Sequence, residues 1–189
     1  MTSARATNST IQQLTQHFPQ TGKLEAIFVR PAREVACLSL ESVTALTGKG
    51  LQGDRACLTH SHKPLGSDRQ VTLIQAEHLT VINALMRKTI DPSLLRRNLV
   101  VSGLNLIATK PLFEQLALQL TIGEVVFEVT GSCEPCSKME RVLGSGGYNV
   151  MRGHGGITAR IIRGGQLLYG DTVVYTTRPV QADPQAQLF

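Results

Sequence analysis

The chain has no tryptophan, and aromatic residues make up only 4% of its 189 positions. Its core must therefore rest on Val, Ile, Leu and Ala, and the aromatic platforms on which single-stranded nucleic acids stack are scarce. No apolar stretch approaches the roughly 20 residues of a membrane-spanning helix, and residues 1–10 contain no apolar run that could serve as a signal-peptide core. A cytoplasmic protein without membrane contact is expected. Cysteine is sparse as well: Cys37, Cys57, Cys133 and Cys136 are too few, in a chain this long, for the disulfide framework of a small secreted domain. Reduced thiols are the expectation. A second Cys-x-x-Cys, a Walker A loop and a dinucleotide glycine fingerprint are all missing.

Hydrophobic residues amount to 42%, enough for one globular domain with a sizeable core. Residues 1–20 are rich in Ser, Thr and Gln and read as a flexible N-terminal arm or a loosely docked extension. Residues 178–189, with two prolines and three glutamines, read as a flexible tail. Between them, residues 21–177 are mostly strand-like. Strands are expected over residues 23–30, 35–40, 69–74, 98–102, 116–121, 124–129, 157–163, 166–169 and 172–175, with Gly164-Gly165 as a two-residue hairpin loop. One clear helix is expected within residues 75–88, where Leu79, Ile82, Leu85 and Met86 recur at helical spacing. Asp91-Pro92 reads as an N-cap followed by proline at the first position of a short turn. Many short strands with few helices and no sustained βαβα alternation predict a mainly β barrel or sandwich.

The net charge of +5 is modest but uneven. Arg96, Arg97, Lys138, Arg141, Arg152, Arg160 and Arg163 all fall in the middle-to-late region, which favours an anionic ligand. The most informative segment is residues 130–139, where Cys133-Glu134-Pro135-Cys136 joins a strand to a helix. Pro135 suits a first helical position, which places Cys136 in the first turn. There, unpaired backbone N–H groups, the helix dipole and the charges of Lys138 and Arg141 favour a thiolate, the form that attacks and that binds soft metals. Two glycine clusters follow, Gly144–Gly147 and Gly153–Gly156, whose backbone could form an anion-binding concavity or plain turns. Asp54-Arg55 and Arg97-Asn98 could present a guanidinium to a carboxylate or phosphate, or could tie strands together internally. From the residues alone, a redox pair and a zinc site completed by Cys57, His60 and His62 stay open, as does a basic barrel that binds nucleic acid without catalysis.

Several motifs occur in order: Gly53-Asp54-Arg55, residues 69–74 leading into a helix, Arg96-Arg97-Asn98 with the strand after it, residues 128–131 followed by Cys133-Glu134-Pro135-Cys136, Gly155-Gly156-Ile157, and Tyr169-Gly170-Asp171. This series resembles the MOSC domain, named for the C-terminal domain of molybdenum cofactor sulfurase, over residues 22–175. The resemblance implies a closed or partly open β-barrel, the molybdenum cofactor (molybdopterin) as ligand, and one functional cysteine, Cys136, acting as molybdenum ligand or persulfide carrier. It further implies that Arg55, Arg97, Asn98, Lys138, Gly155 and Gly156 hold the cofactor. Members of this family are sulfur carriers or reductases of N-hydroxylated compounds. With no desulfurase domain, flavin motif or ferredoxin cysteine set in view, a cysteine desulfurase or an external electron donor is the expected partner. The roles of Cys133, His60 and His62 are not specified by the resemblance.

Overall fold

The computed structural model describes residues 10–59, 61–109 and 116–179. It begins with a short helix, α1 (Ile11–Leu14), closed by a reciprocal capping box between Thr10 and Gln13. Phe18 then stacks on Tyr175 with ring centroids 4.4 Å apart, and Gln20 Nε2 donates to the Gly103 carbonyl at 3.0 Å. Residues 10–20 are thus docked on the domain, and residues 1–9 of the expected arm or extension lie outside the described residues.

In chain order the elements are β1 (Gly22–Val29), β2 (Leu38–Leu40), β3 (Ser42–Leu46), β4 (Gly50–Leu51), a 3-10 turn (Arg55–Leu58), β5 (Val71–Gln75), α2 (Ala76–Met86), a second 3-10 turn (Pro92–Leu95), β6 (Leu99–Ser102) and a third (Leu106–Thr109). There follow β7 (Leu116–Ile122), β8 (Val125–Ser132), α3 (Ser137–Leu143), α4 (Gly147–Met151), β9 (Ile157–Arg163), β10 (Gly165–Leu168) and β11 (Thr172–Pro179). The main sheet runs β11-β7-β8-β9-β5-β6-β1-β2, and a further β11–β1 pairing closes seven of these strands into a barrel. A small second sheet, β10-β3-β4, lies beside it. The expected mainly β, MOSC-type barrel is what the chain forms.

Strand alternation explains how the barrel acquires its helices. Leu73, Leu99, Val101 and Ile27 point into the barrel core, whereas their neighbours Ile74, Val100 and Phe28 point outward. The outward set packs with Ile82, Leu95, Met139, Leu143 and Met151 in a second apolar cluster under the helices. Strands β1, β5 and β6 are therefore buried on both faces, which accounts for their nearly continuous apolar runs. β5 and β6 pair in parallel across α2, forming one βαβ unit that the sequence pattern did not reveal.

Three local expectations are corrected. β9 and β10 do not form a hairpin: Gly164 and Gly165 carry the chain from one sheet to the other, and β10 pairs with β3. Asp54-Arg55, read from the sequence as the start of a further strand, opens a 3-10 turn with Asp54 as its N-cap. β11 continues to Pro179, paired with β7, so the last strand includes Arg178.

Candidate functional site

A cleft of about 590 Å³ opens where the ends of β1, β5 and β6 meet the first 3-10 turn and the start of α3. It brings together Arg55, Arg97, Asn98, Lys138 and Cys136, which are far apart in the sequence. It also gathers Arg30, Arg33, Arg69, Arg96 and Cys37, none of which had been assigned a site role. Gly155 and Gly156 do not line it.

Charge sets the character of this cleft. Among the described residues Glu34 and Asp54 are its only carboxylates, against six arginines and Lys138. Lys138 is already paired, its Nζ 2.5 Å from Glu34 Oε1. Among the described residues, Arg30, Arg33, Arg55, Arg69 and Arg96 have no ion-pair partner. Arg30 Nε is buried without a hydrogen-bond partner, and burial, then the neighbouring Arg96 guanidinium, push its pKa below the ordinary arginine value. Like charges crowded in a concave site with little water are stabilised by a bound anion. Glu34 and Arg96 also hold left-handed backbone, with φ of 60° each, a conformation that non-glycine residues rarely adopt and that clusters at functional sites. At Arg96 this turn separates two adjacent arginines: Arg96 remains half-exposed in the cleft while Arg97 is driven inside.

Arg97 is 4% exposed and clamps three carbonyls: Nε donates to Gly155 at 2.6 Å, Nη1 to Leu95 at 2.9 Å and Nη2 to Cys133 at 3.1 Å. Burial pushes its pKa below the usual arginine value. Its visible work is to fasten the Gly153–Gly156 loop and the Cys133 segment to the barrel. Asn98 is likewise consumed by the fold. Its Oδ1 accepts from Thr72 N at 3.0 Å and Thr72 Oγ1 at 2.9 Å, and its Nδ2 donates to Phe28 O at 3.1 Å and Asp54 Oδ2 at 3.0 Å. An amide offers two donor and two acceptor positions, and all four are in use. Asp54 also accepts from Arg30 N and Ala56 N, so it anchors backbone and does not orient the Arg55 guanidinium.

Gly155 and Gly156 lie where backbone segments pack closely. A Cβ on Gly156, whose φ is +81°, would stand 1.9 Å from Leu73 O, and one on Gly155 would stand 2.2 Å from Cys133 O. The Gly144–Gly147 turn does cradle an anion, but the anion is Glu140: its carboxylate accepts from Gly146 N and Tyr148 N, both at 2.8 Å, and these bonds hold its pKa below the usual carboxylate range.

The two cysteines of the pair differ sharply. Cys133 is 1% exposed, whereas Cys136 is exposed on the cleft. Pro135 is not the first helical residue. α3 starts at Ser137, and Cys136 is its N-cap with extended backbone (φ −124°, ψ 171°) and no side-chain cap bond. The thiol therefore sits one position before the helix and is spent on no capping contact. Cys37, half-buried on the same cleft, has its pKa raised by burial, with Arg30 and Arg96 pulling the other way. Among the described residues no three His, Cys, Asp or Glu side chains converge as a metal site. His62 is exposed and away from the cleft, Cys57 does not line it, and His60 lies outside the described residues.

The MOSC domain family model matches residues 60–174, more than half of the chain. The chain belongs to the MOSC domain family. Its MOSC barrel is similar to that of the YuaD protein from Bacillus subtilis, at 20% identity and a TM-score of 0.64, covering 86% of this chain and 98% of that one. It is also similar to YiiM from Escherichia coli, with 17% identity, a TM-score of 0.61, and 88% and 75% of the two chains covered. YiiM from Geobacillus stearothermophilus gives 14% identity, a TM-score of 0.63, and 84% and 77% coverage. At these identities the likeness speaks for the fold. No curated protein matches the sequence. MOSC domains as a family are associated with molybdenum cofactor enzymes, and no helix among the described residues is long and apolar enough to cross a membrane.

Proposed function

We propose that this MOSC protein binds the molybdenum cofactor in the arginine-lined cleft and offers the Cys136 sulfur as a ligand to the metal. The observation that carries this reading is the meeting, in one cleft, of an exposed uncommitted thiol and five arginines without ion-pair partners among the described residues. The donor set fits the group: guanidinium forks match a phosphate, and a thiolate suits a soft metal centre. Arg30, Arg55 and Arg96 hold the phosphate end and Cys136 the metal end. Arg97 and Asn98 act one layer back, as braces. When bound, the cofactor supplies a two-electron redox centre. The chain's own contribution is to neutralise the anionic ligand, to orient it toward Cys136 and to keep that sulfur free of competing hydrogen bonds. Reduction of N-hydroxylated compounds then requires an external electron donor.

The arginine half of this reading is tested by loading apo-protein with cofactor released from a donor molybdoprotein and measuring pterin retained after gel filtration. Arg30→Gln/Arg96→Gln is expected to weaken cofactor binding by about a hundredfold or more, since each lost charge-assisted contact costs about 1.5–3 kcal/mol. Unchanged retention contradicts it. The exposure of Cys136 supports a second reading, in which it carries a persulfide received from a cysteine desulfurase. A mass gain of one sulfur on Cys136 after incubation with a desulfurase and cysteine is its signature, and label on Cys133 alone contradicts it.

A further inference from the structure

Arg69 Nη2 donates to the Cys133 sulfur at 3.3 Å, across 64 residues of sequence. Both ends of this contact stand on fixed main chain. On one side, Thr130 Oγ1 donates to the Asp68 carbonyl at 2.5 Å, Gln70 N donates to Ala159 O at 3.1 Å, and the Gln70 carboxamide accepts from Ile161 N at 3.0 Å. On the other, Cys133 N donates to Gly156 O at 2.8 Å and Cys133 O accepts from Arg97 Nη2 at 3.1 Å. Between these anchors the long, exposed stem of Arg69 reaches over the cleft, and the buried sulfur is the only hydrogen-bond partner of its guanidinium among the described residues.

The chemistry of that partner matters. A free arginine side chain carries much rotamer entropy, part of which a single fixed contact removes in advance of binding. A carboxylate in this place would also fix the arm, but it would neutralise the charge. A thiol is a weak acceptor without a full charge, so it orients the fork of a side chain that lines the cleft and leaves its charge and remaining N–H donors uncommitted among the described residues.

We propose that Cys133 is a positioning residue that pre-orients Arg69 as a phosphate-binding arginine of the cleft. This deepens the cofactor reading and rests on it. It gives the Cys-x-x-Cys motif an internal division of labour: Cys136 presents sulfur to the ligand, and Cys133 holds the arginine that grips the ligand's phosphate.

The test is a double-mutant cycle with pyrophosphate as the probe, measured by isothermal titration at one low ionic strength on the full chain. Arg69→Gln is expected to weaken binding about tenfold, and Cys133→Ala about threefold, as fits one lost pre-organised contact. In the Arg69→Gln background, Cys133→Ala should then have no further effect. Cys133→Val, which fills the buried space without an acceptor, provides the same comparison if the alanine variant folds poorly. An equal loss in both backgrounds, or no loss from either Cys133 substitution, overturns the proposal while leaving the anion site intact. Failure of the unaltered protein to bind pyrophosphate overturns the anion-site reading itself, and this inference with it.

Discussion

Asn98 Nδ2 donates to Asp54 Oδ2 at 3.0 Å, and this bond joins the start of β6 to the first 3-10 turn at the floor of the cleft. Through it, Asn98, which the family resemblance marks as a cofactor contact, becomes part of a brace with Asp54. Asn98→Ala would leave Thr72 N, Phe28 O and Asp54 short of partners at a partly buried site. A loss of about 3 kcal/mol is expected, since each stranded polar group costs about 1–3 kcal/mol. Urea unfolding of the variant against the parent measures this. A shift below about 0.5 kcal/mol would mean that the brace is idle.

Cysteine reactivity should follow exposure. Cys136 is exposed, Cys37 and Cys57 are intermediate, and Cys133 is buried. Brief treatment of the native protein with iodoacetamide, followed by peptide mass mapping, is expected to label Cys136 first and Cys133 last. Cys136→Ala should change stability by no more than about 0.5 kcal/mol, because its side chain makes no packing or capping contact that holds the fold.

Gly156→Ala should disrupt the protein, not a ligand contact. The added methyl would meet the Leu73 carbonyl at 1.9 Å, and φ at this position is +81°. Strain and collision together place the cost above about 4 kcal/mol, the range of severe core substitutions. Thermal melting checks it. A variant that melts like the parent but loses cofactor would instead assign Gly156 to the ligand.

Acid should weaken the fold through His78. Its ring stands edge-on to His154 at 5.1 Å between centroids, and its Nδ1 is buried without a partner. Burial, then the neighbouring His154, lower its pKa below the ordinary 6.5. Below that value the unfolded chain takes up a proton that the folded protein resists, so stability is full above it and falls as pH decreases. Melting temperatures from about pH 7.5 to about pH 5.5 should drop less in His78→Phe than in the parent. Equal drops would remove His78 from the account.

The barrel was legible in the sequence because period-two alternation and turn residues mark most of its strands, and because the motif order over residues 53–171 carries the family signature. The small sheet was not. β3 and β4 are short, and β10 joins them through tertiary pairing that no local pattern encodes. At the site, Cys136 could be singled out by its place at the start of the helix and by the family resemblance, but the segment around Pro135 was read two positions too far into the helix.

The division among the arginines was also hidden. Arg96 and Arg97 are adjacent, and only the left-handed turn at Arg96 decides which faces the cleft and which is buried on three carbonyls. Arg30 and Arg69 gave no local signal, because their proximity to Cys136 is made by barrel closure and not by spacing along the chain. The glycine clusters are ambiguous for a related reason. Composition does not say what the backbone approaches: Gly155 and Gly156 lie against Cys133 and Leu73, and the Gly146 N–H donates to Glu140.

The central claim is that the cleft holds the molybdenum cofactor with Cys136 on the metal, and metal and pterin analysis tests it most directly. The parent and Cys136→Ala, purified from cells that make the cofactor, should differ in one respect: the parent carries molybdenum and pterin together, and the variant loses the molybdenum. Absence of both from the parent under every growth condition, or equal molybdenum in the two proteins, would contradict the account.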